Sequence, residues 1–344
     1  MKASREQDGD TFGLRRDANP LPASPTATVA EEAASLLRAL ASSIGTVLRG
    51  KTDVVETALL CTIAEGHLLL DDVPGVGKTV LAKALAASIG GRSSRVQFTP
   101  DLLPADITGV SIWQPSTESF SFRPGPIFAN IVVCDELNRG PARTQSALLE
   151  AMEERTVTVD GNTMALARPF IVIATQNPFE QDGTYNLPES QIDRFLMRTS
   201  VGYPGRDAEF EMLEAGGADQ TLPALRPVLS VAQMGELVAL ATAVYTAPAL
   251  LTYIVDVTRA TRQHADVALG ASPRAGLALT RAARALALLR GRTFVTPDDV
   301  RDVAHRVLDH RLLVRGAGRW SRSSSAPIID DVLASIAVPT GRNG

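Results

Sequence analysis

Between the apolar run Leu68 to Leu70 and the amphipathic stretch Val80 to Ser88 lies Asp72-Val73-Pro74-Gly75-Val76-Gly77-Lys78-Thr79. Small residues at such a place let successive backbone N–H groups curl around a phosphate at a helix N-terminus, where the helix dipole favours negative charge. A lysine then reaches the outer phosphate oxygens and a hydroxyl ligates Mg2+. Gly75, Gly77, Lys78 and Thr79 supply these groups. Pro74, Gly75, Val76, Gly77, Lys78, Thr79 and Val80 are therefore the expected cofactor-binding segment, with Thr79 also a metal ligand. Asp72 departs from the full pattern, which has its first glycine there, and its carboxylate sets a negative charge near the phosphates. The competing explanation is a Gly-rich strand-to-helix turn that holds no ligand.

A second stretch, Ile131-Val132-Val133-Cys134-Asp135-Glu136, is an apolar strand ending in two carboxylates. Asp135 at the strand end can complete a Mg2+ shell, and Glu136, pointing to the other side, can orient and deprotonate a water attacking a γ-phosphate. That pairing points to hydrolysis, since a small-molecule kinase must suppress water attack and has less use for the second carboxylate. Two acidic residues that merely end a strand and cap the next helix are the alternative. A third run, Phe170 to Pro178, places Asn177 just past a strand tip, where its amide can hydrogen-bond the γ-phosphate and the attacking water. Asn-Pro alone is an ordinary turn signal. Its place after the two earlier motifs favours the first reading.

These groups need elements to hold them. Residues 1–28 mix charge, Pro, Ser, Gly and Thr without apolar periodicity and read as a flexible tail. Helical spacing follows in Val29 to Leu48 and Asp53 to Glu65. Three short apolar runs, His67 to Leu70, Ile131 to Cys134 and Phe170 to Ala174, read as buried parallel strands separated by helical or loop segments, which is an α/β pattern. Two hairpins are expected, one over Val110 to Arg123 with Gln114-Pro115-Ser116 at its tip, one over Thr156 to Leu166 turned at Asp160-Gly161. Beyond about Tyr203 the strand runs stop. Apolar series in 231 to 248, 251 to 262, 274 to 290 and 298 to 312 predict an all-helical second domain. Ser272 with Pro273, and Thr296 with Pro297 and Asp299, mark two of its helix starts. The expected division is 1–28 tail, 29–203 α/β nucleotide-binding domain, 204–318 helical domain and 319–344 extension.

Composition removes other classes. A net charge of -4 gives no general basic surface for nucleic acid, and 5% aromatic residues argue against an aromatic-rich β architecture. No apolar run approaches the roughly 18 residues that span a bilayer, and the first 30 residues hold no apolar signal region, so a cytoplasmic address without stable membrane insertion is expected. Cys61 and Cys134 each lie in an apolar stretch and read as small buried side chains in a reducing compartment. His67, His264, His305 and His310 are scattered and make no metal site. Arg319 to Ser325 (RWSRSSS) reads as a solvated loop. No Ser-His-Asp or Cys-His arrangement is evident.

Gly75-Val76-Gly77-Lys78-Thr79, Phe98 to Gly109, Asp135-Glu136-Leu137-Asn138-Arg139, Gln145 to Glu154, Ala174-Thr175-Gln176-Asn177-Pro178, Leu187-Pro188-Glu189, Gln191-Ile192-Asp193-Arg194-Phe195 and Gly270 to Ala275 together resemble the MoxR family of AAA+ ATPases over about residues 35 to 315. The resemblance implies a P-loop nucleotide-binding domain, a parallel sheet flanked by helices, followed by a small helical lid. It implies a homo-oligomeric ring, of six copies, with ATP and Mg2+ between subunits. Arg194 matches the arginine finger that one copy offers to its neighbour's γ-phosphate, against the plain alternative of a salt bridge to Asp193 or a helix-end cation. Arg274 matches the sensor-2 arginine, reaching the γ-phosphate and coupling lid angle to nucleotide state. The residues so assigned to catalysis are Glu136, Asn177, Arg194 and Arg274. The two hairpins face the pore in related motors, and Trp113 and Phe120 either grip a polypeptide or pair across the hairpin. Arg49-Gly50-Lys51 replaces the family's usual Val-Gly-Gln beside the adenine. The implied work is mechanical: hydrolysis changes the angle between domains and remodels, activates or matures a client protein, the family commonly acting with proteins that carry a von Willebrand factor A domain. The competing class is an ATP-gated regulatory scaffold with negligible turnover.

Overall fold

The computed structural model describes residues 24–71, 76–176, 187–214, 216–217, 221–315 and 325–339. Helices α1 (Ala27–Gly45) and α2 (Thr52–Ile63) precede β1 (Leu68–Asp71), which leads towards α3 (Lys78–Ser88) and β2 (Ser93–Gln97). A short α4 (Pro104–Thr108) enters the hairpin β3 (Gly109–Gln114) and β4 (Ser119–Pro124), followed by β5 (Ile131–Asp135), α5 (Ala142–Glu154) and the hairpin β6 (Thr156–Val159) and β7 (Asn162–Ala165). Strand β8 (Ile171–Gln176), α6 (Glu189–Ile192) and β9 (Met197–Thr199) complete this half. Thr26 caps α1 through its hydroxyl, which accepts from Val29 N, so the helix begins two residues inside the segment read as tail.

The main sheet is parallel, in the order β2-β5-β8-β1-β9. Leu70 lies opposite Thr175, Cys134 opposite Ala174, and Gln97 opposite Asp135, so the carboxyl ends of β1, β5 and β8 finish side by side. Residues in these three strands are buried on both faces, as a sheet covered by helices on each side requires. The two flanking strands, β2 and β9, are additions to the three expected. In Ser93-Ser94-Arg95-Val96-Gln97 only Val96 is buried, and β9 has three residues, too short a run for periodicity. Apolar residues divide between the two faces. Leu68, Leu70, Val133 and Ile173 join α1, α2, α3 and the second half of the chain; Leu69, Val132, Cys134 and Val172 join α5, Phe98, Phe170 and Phe195.

Both expected hairpins form. Asp160 and Gly161 turn the second with φ of 50° and 79°, the left-handed pair that a two-residue turn matching the strand twist demands. The first keeps Gln114 inside its strand and turns over 115–118, one residue beyond the expected tip, with Glu118 at φ 46°.

The second half comprises α7 (Arg206–Glu214), α8 (Val231–Ala243), α9 (Pro248–Gln263), β10 (Val267–Leu269), α10 (Pro273–Leu289), α11 (Pro297–Leu308), β11 (Leu313–Val314) and α12 (Ala326–Ser335). It is not wholly helical. β10 and β11 pair antiparallel, held by Arg315 N to Asp266 O at 2.7 Å and Arg315 Nε to Val267 O at 2.9 Å. Such short strands leave no periodic trace. The marked starts are confirmed: Ser272 Oγ accepts from Arg274 N at 3.1 Å, and Thr296 N donates to the Asp299 carboxylate at 2.8 Å. Asp299 is also fully buried against Arg290 and Arg292. Buried alanines on α10 let α1, α2, α8, α9 and α11 approach it closely. In the C-terminal extension, Ile328, Ile329, Val332 and Leu333 seat α12 on α9 and α11. No helix among the described residues is long and apolar enough to cross a membrane.

Candidate functional site

Among the described residues, Asp135 and Glu136 lie at and just past the carboxyl end of β5, beside the carboxyl ends of β1 and β8. Asp72, Pro74, Gly75 and Asn177 lie outside the described residues. Gly77 caps α3 with φ 96°; an added Cβ there meets nothing within 4 Å, so the need for glycine is the left-handed backbone itself. Leu81 N to Gly77 O, at 3.0 Å, closes the first turn of α3. Lys78, Thr79 and Val80 therefore occupy the helix N-terminus, and with Val76 they are partly accessible. At the base of the loop Arg198 Nε of β9 holds Asp71 Oδ2 at 2.5 Å, fixing where β1 ends.

Asp135 and Glu136 sit two strands away, past β8. Asp135 is 7% exposed; its Oδ1 faces Thr175 Oγ1 at 3.4 Å and its Oδ2 accepts from Arg95 Nε at 2.7 Å. The chain reverses at Glu136, which adopts φ 54°, costly for a residue with a side chain and compensated in part by Glu136 N donating to Thr175 Oγ1 at 2.9 Å. Arg95 and Gln97, on one face of β2 and joined by Arg95 Nη2 donating to Gln97 Oε1 at 3.2 Å, hold the two adjacent carboxylates, one each. Gln97 Nε2 and Arg139 Nη1 both donate to Glu136 Oε2, at 2.9 and 3.1 Å, leaving Oε1 without a hydrogen-bond partner among the described residues. Among the described residues no cluster of three His, Cys, Asp or Glu could hold a metal by itself. The Asp135 carboxylate and the Thr79 hydroxyl are both hard oxygen donors, a chemistry that suits a hard cation bringing water and phosphate oxygens with it.

Arg194 and Arg274 lie elsewhere. Leu196 N donates to His67 O at 2.8 Å and Leu68 pairs with Met197, so the Asp193-Arg194-Phe195 turn abuts the amino end of β1. The phosphate loop leaves the opposite end. Arg194 Nη1 donates to Leu149 O at 2.6 Å and its Nη2 lies 3.2 Å from Glu153 Oε2; Arg274 Nη2 pairs with Glu153 Oε1. Arg194 thus does not pair with Asp193. That carboxylate accepts from Arg311 Nε at 2.7 Å and from Ser272 Oγ at 2.8 Å, and Asp193 O accepts from Arg311 Nη2. Arg274, expected to reach the γ-phosphate, shares a cluster with Arg194, because Ser272 and Arg311 tie the start of α10 to the Asp193 turn. Arg95, Gln97, Thr175, Glu153 and Arg311 were missed by sequence reasoning. The alternation of Arg95 and Gln97 around buried Val96 was a signal for one side of an edge strand; nothing local signalled the others.

Family models agree with this architecture. Residues 67–197 match the ATPase family associated with various cellular activities (AAA), and residues 259–331 match the AAA lid domain. The chain is 45% identical over 313 residues to the uncharacterized protein YeaC of Bacillus subtilis (strain 168), covering 91% of this chain and 98% of that one. It is 42% identical over 320 residues to Chaperone MoxR1 of Mycobacterium tuberculosis, covering 90% and 84%. A crystal structure of a Cytophaga hutchinsonii protein superposes with a TM-score of 0.83 at 33% identity over 90% of this chain and 97% of that one. The fold and site thus define a nucleotide-dependent ATPase core of the AAA class with its lid. Within that class, the chain belongs to the MoxR-type AAA+ family.

Proposed function

We propose that the chain binds Mg-ATP at Pro74 to Val80 and Asp135, and hydrolyses it only in a ring of copies, in which Arg194 and Arg274 act on the nucleotide of the adjacent copy. The reading rests on one observation: the carboxylates and the α3 N-terminus lie at the carboxyl ends of the strands, while both arginines lie at the amino end of β1. A strand of four residues, about 10 Å, plus its flanking loops, separates the two halves.

In this reading Lys78 and the α3 N-terminus hold the phosphates, and Asn177 hydrogen-bonds the γ-phosphate and the attacking water. Bound at Thr79 and Asp135, Mg2+ supplies charge neutralisation on the phosphate oxygens. Arg95 gives up Asp135 Oδ2 when that ligand is engaged. Glu136 keeps its two donors on Oε2 and takes the proton of the attacking water on Oε1. The neighbour's arginines then neutralise charge on the transferring group, so the chemistry is positioning and electrostatics, without a covalent intermediate. We keep 29–203 as the nucleotide-binding domain, 204–318 as the lid, and 1–28 and 319–344 as extensions. The work done with the energy is remodelling of a client protein in the cytoplasm, an assignment supported by the chaperone name of the Mycobacterium relative; a von Willebrand factor A domain protein is the client class we favour.

Phosphate release and nucleotide binding test this together. Glu136→Gln is expected to retain ATP and lose turnover by roughly a hundredfold or more, the usual worth of a positioned general base. Equal, negligible release from the unmodified protein and the variant would establish a scaffold instead.

A further inference from the structure

Glu153, at the C-terminal end of α5, touches both assigned arginines, one with each carboxylate oxygen. Its neighbours form a cavity of about 240 Å³ at the amino end of β1. Five arginines line it, Arg155, Arg194, Arg274, Arg281 and Arg311, against only three carboxylates, Glu65, Glu153 and Asp193. Three of the arginines are already committed. Arg155 is paired with Glu65, Arg281 caps the C-terminus of α2 through Ala64 O and Glu65 O, and Arg311 is locked to Asp193. That leaves Arg194 and Arg274 with one carboxylate between them. Arg194 Nε is moreover buried with no hydrogen-bond partner among the described residues.

Two guanidinium groups brought together repel, and a long arginine has several rotamers to choose from. A single carboxylate bonded to both overcomes the repulsion, fixes both side chains, and still leaves a net positive charge for an incoming anion. Resting on the ATPase reading above, we propose that Glu153 is a positioning residue that fastens the arginine from the α/β half to the arginine from the lid, making them one paired receptor for the terminal phosphate of the adjacent copy's nucleotide. Phe195 and the Arg311–Asp193 pair hold one end of this receptor and Ser272, the cap of α10, holds the other. Glu153 itself touches no nucleotide.

Replacing Glu153 by Gln keeps the shape and removes the charge that joins the pair. Turnover should fall roughly tenfold to a hundredfold, the scale of misplacing a group by about an ångström. The affinity of the variant's own phosphate loop for a non-hydrolysable ATP analogue should stay unchanged, since that loop is at the other end of β1. The decisive readout is subunit mixing. In mixed assemblies of Glu153→Gln and Glu136→Gln chains, an intact loop of the first meets intact arginines of the second, so turnover should exceed that of either variant alone severalfold. A general folding defect would lower analogue binding and give no such recovery. The proposal is overturned if Glu153→Gln turns over at the unmodified rate, or if mixing recovers nothing. Absence of turnover in the unmodified protein would defeat the ATPase reading itself, a separate result.

Discussion

His67 shows how a single buried ring can report on the whole fold. Its Nε2 lies 3.0 Å from Met152 O and its Nδ1 accepts from Val172 N at 3.0 Å, an arrangement that needs a neutral imidazole with its proton on Nε2. Burial, assisted by nearby Arg155 and Arg281, lowers its pKa from 6.5 to about 4. The unfolded chain therefore takes up this proton near pH 6.5 and the folded chain only near 4, so between these values stability falls as acid is added. The shift corresponds to about 3 kcal/mol. Denaturant midpoints measured from pH 7 to 4 should decline, and His67→Gln, which keeps an acceptor and a donor but cannot titrate, should flatten the decline. His310, buried beside Arg311, has its pKa lowered by burial and by that arginine, and contributes to the decline in the same direction. An unchanged pH dependence in His67→Gln would refute this account. At this scale the sequence disclosed Lys78, Asp135 and Glu136, because each belongs to a contiguous pattern. It hid Arg95, whose partner Asp135 is 40 residues away, and Arg311, whose partner Asp193 is 118 away. Such pairs exist only once strands and helices are in register.

Elements were legible in proportion to their periodicity. α10 and α11 carry long apolar series with marked caps, and their observed spans differ from the expected ones by only a few residues. β2 and β10, with little buried surface, were invisible to such reading, though β2 carries Arg95 and Gln97 to the carboxylates. The hairpin β3–β4 is intermediate. Trp113 stands opposite Phe120 in register, with ring centroids 5.2 Å apart in an edge-to-face pair. Yet the two residues remain 48% and 70% exposed, so cross-strand contact does not use up their surface. Both alternatives raised for these residues are thus compatible with one geometry. An edge-to-face pair adds about 0.5–1.5 kcal/mol beyond area burial. Trp113→Ala should therefore loosen the hairpin and speed proteolysis between Gln114 and Ser119, while global melting and ATP binding stay unchanged. Unaltered cleavage kinetics would show that the pair does not stabilise the hairpin.

Taken whole, the molecule joins its α/β domain and helical lid through a shared apolar core. Periodicity identifies the apolar face of each helix but not the helix it will meet, so how the two domains pack together was not legible in the sequence. One apolar cluster runs from α1, α2 and α3 into α8, α9, α10 and α11. Arg281 on α10 donates to Ala64 O and Glu65 O, Arg306 on α11 pairs with Glu56 at 2.9 Å, and Arg311 locks onto Asp193. Swinging α10 away from α2 would expose part of that cluster and break the Arg281 and Arg306 contacts, while of the three only Arg311 is a buried guanidinium whose loss of acceptors costs about 1–3 kcal/mol or more. In the proposed ring, the joint that yields during a nucleotide cycle is therefore expected between copies before it is expected between α2 and α10 of one copy. Two measurements check this. Calorimetry of the isolated chain should give one cooperative transition, not separate ones for the α/β and lid portions. Spin-label distances between exposed positions on α2 and α10 of the same chain should keep their distribution when an ATP analogue is added, while distances between copies should change. A nucleotide-dependent shift within one chain and none between chains would place the hinge where the strand runs end, and would make the lid angle the moving part.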